Sequence, residues 1–258
     1  MKFLAVTDLH YSDEPQGNSD RAHVLSAEKL RTITENFSDG CDFIVDLGDT
    51  ADSFSGGRSQ KELFSEVCSI LEKTGLPFYS IIGNHDTSTD KREICSLMKM
   101  PGRYYAFDGG GYRCLVLDAC MNDVNVPYPE SEIVWDNCYI DEKQKNWLRD
   151  ELQKSSLPVF IFTHVPFMLE EYEIQNPHLI VNRDEILDII VKSGKVKAVF
   201  SGHYHNGCHT IYNGIPFVVF SALALEKDIT FAVVTAEDGK LSVSGHGRNA
   251  SASFDLNM

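Results

Sequence analysis

Seven side chains of metal-ligand type stand in five short clusters along the 258 residues: Asp8, His10, Asp49, Asn84, His164, His203 and His205. The clusters read Asp8-Leu9-His10, Gly48-Asp49-Thr50-Ala51-Asp52, Gly83-Asn84-His85-Asp86, His164, and Gly202-His203-Tyr204-His205. Imidazole nitrogen and carboxylate oxygen suit Mn, Fe, Co or Zn. Two divalent ions held ~3.5–4 Å apart can clamp an in-line displacement at phosphorus. Such a pair needs one carboxylate between the ions and further nitrogen or oxygen donors on each. The spacing of Asp8 with His10, and of His203 with His205, sends each pair to one side of an extended segment. Two carboxylates and one hydroxide do not neutralise two divalent ions. The cluster therefore stays positive and attracts a phosphate anion, inside a chain whose formal net charge is −15.

The clusters need elements to position them, and each follows a run of strand length. Residues 3–6, 43–47, 78–82, 159–162 and 198–200 read as buried strands. In open α/β sheets ligands bind at the carboxyl ends of strands, so five such ends gather the clusters on one rim. Helical spacing over 21–37 and 61–71 separates the first three strands. This β-α-β-α-β order predicts a parallel sheet with right-handed crossovers. Runs at 104–107 and 114–117 flank three glycines and read as a hairpin. Helices follow at 141–152 and 183–191. Short strands near 210–212, 217–220, 231–234 and 241–244 are separated by Asn213-Gly214 and Asp238-Gly239 turns. The order predicts an α/β protein with two mixed sheets face to face and helices outside. Irregular stretches near 121–140 and 166–182 read as cap-like insertions, and the absence of repeats or a low-complexity linker favours a single domain over 1–258.

Hydrophobic residues make up 43% and charged residues 24%, as in soluble globular proteins. The acidic surface argues against duplex nucleic acid and anionic membranes as partners. Seven scattered cysteines without a C-x-x-C pair point to free thiols in a reducing compartment. With no signal peptide and no apolar run of membrane-spanning length, a cytoplasmic protein is expected.

Taken together and in order, the five motifs resemble the calcineurin-like metallophosphoesterase superfamily. The resemblance runs from residue 8 to 205 and implies the metallo-dependent phosphatase fold, a four-layer α/β/β/α sandwich, with the trailing strands in its second sheet. It implies that Asp8, His10 and His205 hold one metal, that Asn84, His164 and His203 hold another, and that Asp49 bridges them. The ions implied are Mn or Fe, with Zn or Co also accommodated. A metal-bridging hydroxide would attack phosphorus. His85 would stabilise the transition state or protonate the leaving oxygen, and Asp52 would orient it. Softer features are the Tyr104-Tyr105-Ala106-Phe107 hairpin entry, Gln144-x-x-Trp147-Leu148, Asn182 and Gly245-His246-Gly247-Arg248. They look most like the branch of class III cyclic-nucleotide phosphodiesterases and manganese-dependent ADP-ribose/CDP-alcohol diphosphatases. The substrate expected is thus a small, nucleotide-derived phosphodiester or diphosphate. Ser53 and Phe54 stand where Ser/Thr protein phosphatases carry Arg and Gly, which points away from a phosphoprotein. A phosphomonoesterase and a non-catalytic scaffold on the same fold are the alternatives.

Other residues of chemical type have plainer readings. His23, His178, His209 and His246 read as surface or satisfied core histidines. Asp46 lies within a strand and reads as a structural hydrogen-bonding group, and Asp86 as a group that orients a ligand or its loop. Arg183 and Arg248 could reach phosphate or form surface ion pairs. The Glu170-Glu171-Tyr172-Glu173 run reads as a solvated loop, and Tyr128, Trp135 and Tyr172 as packing aromatics. Oligomeric state is not legible.

Overall fold

A computed structural model of the chain describes residues 1–14, 20–53, 57–121, 136–169, 176–225 and 227–257. Of the cap-like stretches expected at 121–140 and 166–182, residues 122–135 and 170–175 fall outside these, which takes in Tyr128, Trp135 and the 170–173 acidic run, as does Phe54.

Strands β1 (Lys2–Val6), β2 (Phe43–Asp46) and β3 (Phe78–Ser80) pair in parallel. Helices α1 (Ser26–Phe37) and α2 (Gln60–Glu72) connect them, as the hydrophobic spacing predicts. A capping box starts α2: the Ser59 side chain accepts from Glu62 N while Glu62 accepts from Ser59 N. After β3 a short 3-10 turn, His85–Ser88, leads into α3 (Lys91–Leu97), which the periodicity did not predict. At seven residues α3 is too short to display a hydrophobic stripe, and its start is set by Asp90 accepting from Arg92 N.

Strands β4 (Tyr105–Gly109) and β5 (Tyr112–Leu117) form the expected hairpin, turning at Gly110-Gly111. Helix α4 (Glu142–Lys154), capped by Asp141, leads to β6 (Val159–Thr163). Helix α5 (Arg183–Ser193) leads to β7 (Val196–Ser201). The chain continues through β8 (Cys208–Tyr212), β9 (Ile215–Val219), β10 (Phe231–Glu237), β11 (Lys240–His246) and β12 (Ala252–Asp255).

Two six-stranded mixed sheets result, ordered β12-β11-β10-β1-β2-β3 and β4-β5-β6-β7-β9-β8. The expectation that the trailing strands enter the second sheet needs correcting. Strands β8 and β9 do so, but β10 pairs antiparallel with β1 and carries β11 and β12 into the first sheet. Alternation shows which face of a strand is apolar, not which sheet edge it meets. The sheets pack face to face through fully buried aromatics. Phe3 of β1 meets Phe162 of β6 and Phe200 of β7 edge-on, with centroids 5.6 and 5.3 Å apart. Such pairs add specificity of register to the burial energy.

Several softer sequence features have structural work. Gln144 clamps Asp118, accepting from its N at 2.8 Å and donating to its O at 2.7 Å. Asn182 does the same to Ile140, at 3.1 and 2.9 Å. His246 stacks on Phe231, and Arg183 is buried with its Nε 3.6 Å from Asp184 Oδ1. Among the described residues no helix is long and apolar enough to cross a membrane.

A buried ion-pair network braces α3 against β5. Asp118 is fully buried, with Oδ2 2.7 Å from Lys91 Nζ and 3.0 Å from Arg103 Nη1, and Arg103 also binds Asp141. Burial would raise the Asp118 carboxyl, but Lys91 and Arg103 outweigh it and hold it below its ordinary value. Asp118→Asn takes the carboxylate from Lys91, leaves Arg103 with Asp141 alone, and is expected to cost about 3 kcal/mol in urea unfolding at neutral pH. A depressed carboxyl stabilises the fold above its unfolded pKa of ~3.9, and that contribution is lost as pH falls through the folded value. The gap between variant and wild type is therefore expected to narrow below about pH 4. A gap that stays constant with pH would contradict the ion-pair account.

Candidate metal centre

The loops after β1, β2, β3, β6 and β7 converge, and backbone bonds lock them together. Asp8 N donates to Gly48 O, His10 N to Asp49 O, and Gly202 N to His164 O, all within 2.8–2.9 Å. Two glycines permit the approach. A Cβ at Gly83 would lie 2.2 Å from Asp49 N and Oδ1, and one at Gly202 would lie 1.9 Å from Thr7 Oγ1. Asp86, fully buried, accepts from Asp49 N, Thr50 N and Gly83 N at 2.8–3.0 Å and so shapes the loop that presents Asp49. Asp46 accepts from Thr50 Oγ1 at 2.9 Å, the structural role its strand position predicts.

The seven expected ligand residues come together, and so do His85 and Asp52. Asp8, His10 and His205 form one group whose ligand atoms lie within 4.8 Å of one another, and Asp49, His164 and His203 form a second. Asp8 Oδ1 is 3.3 Å from His205 Nε2, and His10 Nε2 is 3.2 Å from His205 Nε2. Asn84 Oδ1 is 3.2 Å from His164 Nε2. Asp49 Oδ2 lies between the groups, 3.6 Å from His10 Nε2 and 3.3 Å from His164 Nε2.

The pairs at 8/10 and 203/205 converge for a different reason from the alternation of an extended strand. Asp8, His10, Asp49 and His203 all have left-handed backbones, with φ of 50°, 43°, 51° and 65°. They are four of the seven non-glycine residues with positive φ among the described residues. Such conformations cost ~1–3 kcal/mol each and persist where surrounding contacts impose them. Strain is thus concentrated on the prospective ligands.

Hydrogen bonds on the outer edges set the imidazole tautomers. His164 Nδ1 donates to Leu47 O at 2.8 Å, which leaves Nε2 for the centre. Asp52 serves two rings: Oδ2 faces His10 Nδ1 at 3.1 Å and Oδ1 faces His85 Nδ1 at 3.0 Å. His85 also donates its backbone N–H to Asp49 Oδ1 at 2.8 Å.

The electrostatics favour positive charge at the centre. Burial disfavours a charged His10, yet Asp52, Asp8 and Asp49 outweigh it and raise the imidazole to about 9. The same balance, with Asp49 and Asp8 as the anions, raises His164 to about 10. Burial and the neighbouring His164 push His203 down to about 3. Asp8 and Asp49 are held below their ordinary values, burial being outweighed by the histidines. A cation fits this donor set. Asp8 Oδ1 is buried without a hydrogen-bond partner, and ring nitrogens and carboxylate oxygens of the type borderline divalent metals prefer converge around it. Metal binding would replace imidazole protons as the source of positive charge.

A cavity of about 330 Å³ opens over the centre, with Asp49, Asn84, His85, His203 and His205 on its floor. Its walls include Arg21, His178 and Tyr204. A groove of about 520 Å³ between α4 and α5 contains none of the ligand groups. His23 is a satisfied core histidine, with Nδ1 2.8 Å from His10 O, and His209 packs on Phe254, as expected. His178 departs from its plain reading: half-buried, it packs its ring against His203 and Tyr204 at 5.6 and 5.3 Å. Arg21, which carries no motif, reaches the same centre. Its Nη1 is 3.3 Å from His10 Nδ1 and 3.7 Å from Asp52 Oδ2. An Arg two residues from a His in a polar loop has no readable pattern, so the sequence offered no signal for it.

Comparison with known proteins places this geometry. The family model for calcineurin-like phosphoesterases matches residues 1–207. A manganese-dependent ADP-ribose/CDP-alcohol diphosphatase from Arabidopsis thaliana is 27% identical, with 98% of this chain and 96% of that protein aligned. A serine/threonine-protein phosphatase, CPPED1, from Rattus norvegicus is 28% identical over 76% of this chain and 65% of its own length. The crystal structure of a dimetal phosphatase from Danio rerio superposes with a TM-score of 0.85 at 19% identity, covering 99% of both chains. That structural likeness is one of fold and spans both sheets and their helices.

Proposed function

We propose, from the premise that the chain belongs to the calcineurin-like phosphoesterase family, that it is a two-metal hydrolase of a small phosphodiester or nucleotide diphosphate, of cyclic-nucleotide, ADP-ribose or CDP-alcohol type. The observation that carries the reading is the position of Asp49. One carboxylate oxygen faces both His10 and His164, as a bridging ligand must. In this assignment Asp8, His10 and His205 would hold one ion, and Asn84, His164 and His203 would hold the other. Two divalent ions there would supply Lewis-acid polarisation of a phosphoryl oxygen and an activated water at neutral pH. Mn accords with the name of the Arabidopsis relative, and Fe, Zn and Co suit the same donors.

The chain's own groups do the rest. Asp52 holds His85 by Nδ1, so Nε2 is the nitrogen left for the substrate. His85 donates a proton to the leaving oxygen from that atom. Asp86 fixes the loop that presents Asp49, and Leu47 O fixes the His164 tautomer. We read 1–258 as one such domain, with substrate choice residing in the 121–140 and 166–182 insertions.

The test is a turnover screen of Mn-loaded protein on bis(p-nitrophenyl) phosphate, a cyclic nucleotide, ADP-ribose, CDP-choline, p-nitrophenyl phosphate and a phosphoserine peptide. Faster hydrolysis of a diester or diphosphate than of either monoester is expected. Turnover confined to p-nitrophenyl phosphate would favour a phosphomonoesterase. Preference for the peptide would give this chain the substrate named for the rat relative.

A further inference from the structure

We infer that Arg21 forms a second phosphate subsite, on the leaving-group side of the centre, and that the substrate is a diphosphate rather than a single phosphodiester. The inference rests on the two-metal reading above and narrows it. Arg21 lines the 330 Å³ cavity together with Asp49, His85 and His205. Its position is built from two sides. Residues 21 and 225 form an antiparallel bridge, and Ala22 N donates to Ala224 O at 2.6 Å, so the backbone is tied to the segment following β9. The guanidinium is held against Asp52, with Nη1 3.7 Å from Oδ2, and 22% of the side chain remains exposed.

Asp52 links this cation to the reaction. Its Oδ1 faces His85 Nδ1 at 3.0 Å, and its Oδ2 faces His10 Nδ1 at 3.1 Å and Arg21 Nη1 at 3.7 Å. Arg21 and His85, the group read above as the proton donor to the leaving oxygen, therefore share one carboxylate and line the same cavity. A leaving phenol or sugar hydroxyl offers an arginine there a neutral acceptor and no second anion to pair with. A leaving phosphate is such an anion: it is one bridging oxygen away from the reacting phosphorus, and negative charge builds on it as the bond to that oxygen breaks. A guanidinium has five N–H donors in a fork and can serve a carboxylate and a phosphoryl oxygen together. In the hydrolysis the water oxygen bonds to one phosphorus and the bond from that phosphorus to the bridging oxygen breaks. The leaving phosphate keeps the electron pair and takes the proton that His85 donates, the water oxygen stays on the attacked phosphorus, and the proton that the water releases restores His85 through solvent. The subsite offsets the charge that appears on that phosphate.

The experiment compares Arg21→Ala and Arg21→Lys with wild type, all Mn-loaded and with metal content measured, on ADP-ribose and on bis(p-nitrophenyl) phosphate. Calorimetric binding of α,β-methylene-ADP and of AMP supplies a readout apart from turnover. Wild type is expected to favour the diphosphate in kcat/KM. Arg21→Ala is expected to lose ~10- to 100-fold more on ADP-ribose than on the diester, the range for a charged hydrogen bond. α,β-Methylene-ADP binding should weaken more than AMP binding, and lysine should recover part of each loss. Equal losses on both substrates would make Arg21 a brace for Asp52 and overturn the subsite, as would no loss on either, or a wild type that cleaves the diester and leaves ADP-ribose intact. A wild type inactive on every phosphate ester would instead overturn the two-metal reading itself.

Discussion

Asp49→Asn is expected to lose metal and activity together. The substitution keeps the shape, and His85 N still finds an oxygen, because Asp49 Oδ1 accepts that bond at 2.8 Å in the wild type. The amide NH₂ then takes the place of Oδ2, the atom facing both His10 and His164. Two N–H donors would point where two cations are to sit, and one of the two ligand carboxylates would lose its charge. Losing an outer hydrogen-bond partner of a ligand typically costs ~10–100-fold in metal affinity. Removal of the bridge itself should exceed that, so metal content after dialysis and kcat should fall in parallel. An Asp49→Asn protein with wild-type metal content would refute the bridging role, whatever its activity.

His85→Ala should behave in the opposite way on metal. Only the backbone N–H of His85 touches Asp49, and that group survives the substitution. The lost imidazole is the one whose Nδ1 Asp52 holds, which we propose as the proton donor. Its removal is expected to lower kcat by ~10²–10⁴ with metal content unchanged. The loss should be larger for an alkyl leaving group than for p-nitrophenolate, which needs less protonation to depart. Equal losses for both leaving groups would argue for transition-state charge stabilisation over proton donation.

Much of the fold and most of the site were legible in the chain because strong local signals coincide with them. Buried strands appear as short apolar runs, and five of those runs end in clusters that carry residues of metal-ligand type. What escaped depended on tertiary placement. Helix α3 is too short for a periodic stripe, and β12 (Ala252–Asp255) alternates weakly between half-buried and exposed positions. The allotment of β10–β12 to the first sheet follows from pairing with β1, which lies more than two hundred residues away. Asp8 and His10 were foreseen as a pair, but through the wrong geometry. Left-handed backbones, imposed by bonds such as Asp8 N to Gly48 O, turn them inward. Arg21 and His178 reach the cavity wall from segments without any motif, and no spacing rule announces a wall built by long-range contacts. Of the insertions expected to govern substrate choice, residues 122–135 and 170–175 lie outside the described residues.

The central claim is that two ions share Asp49, and counting them tests it most directly. Wild-type protein loaded with Mn and freed of excess should carry two ions per chain by elemental analysis, with the spin-coupled electron paramagnetic resonance signal of a bridged pair. One ion per chain at saturation, or two that give the signal of isolated Mn, would contradict it.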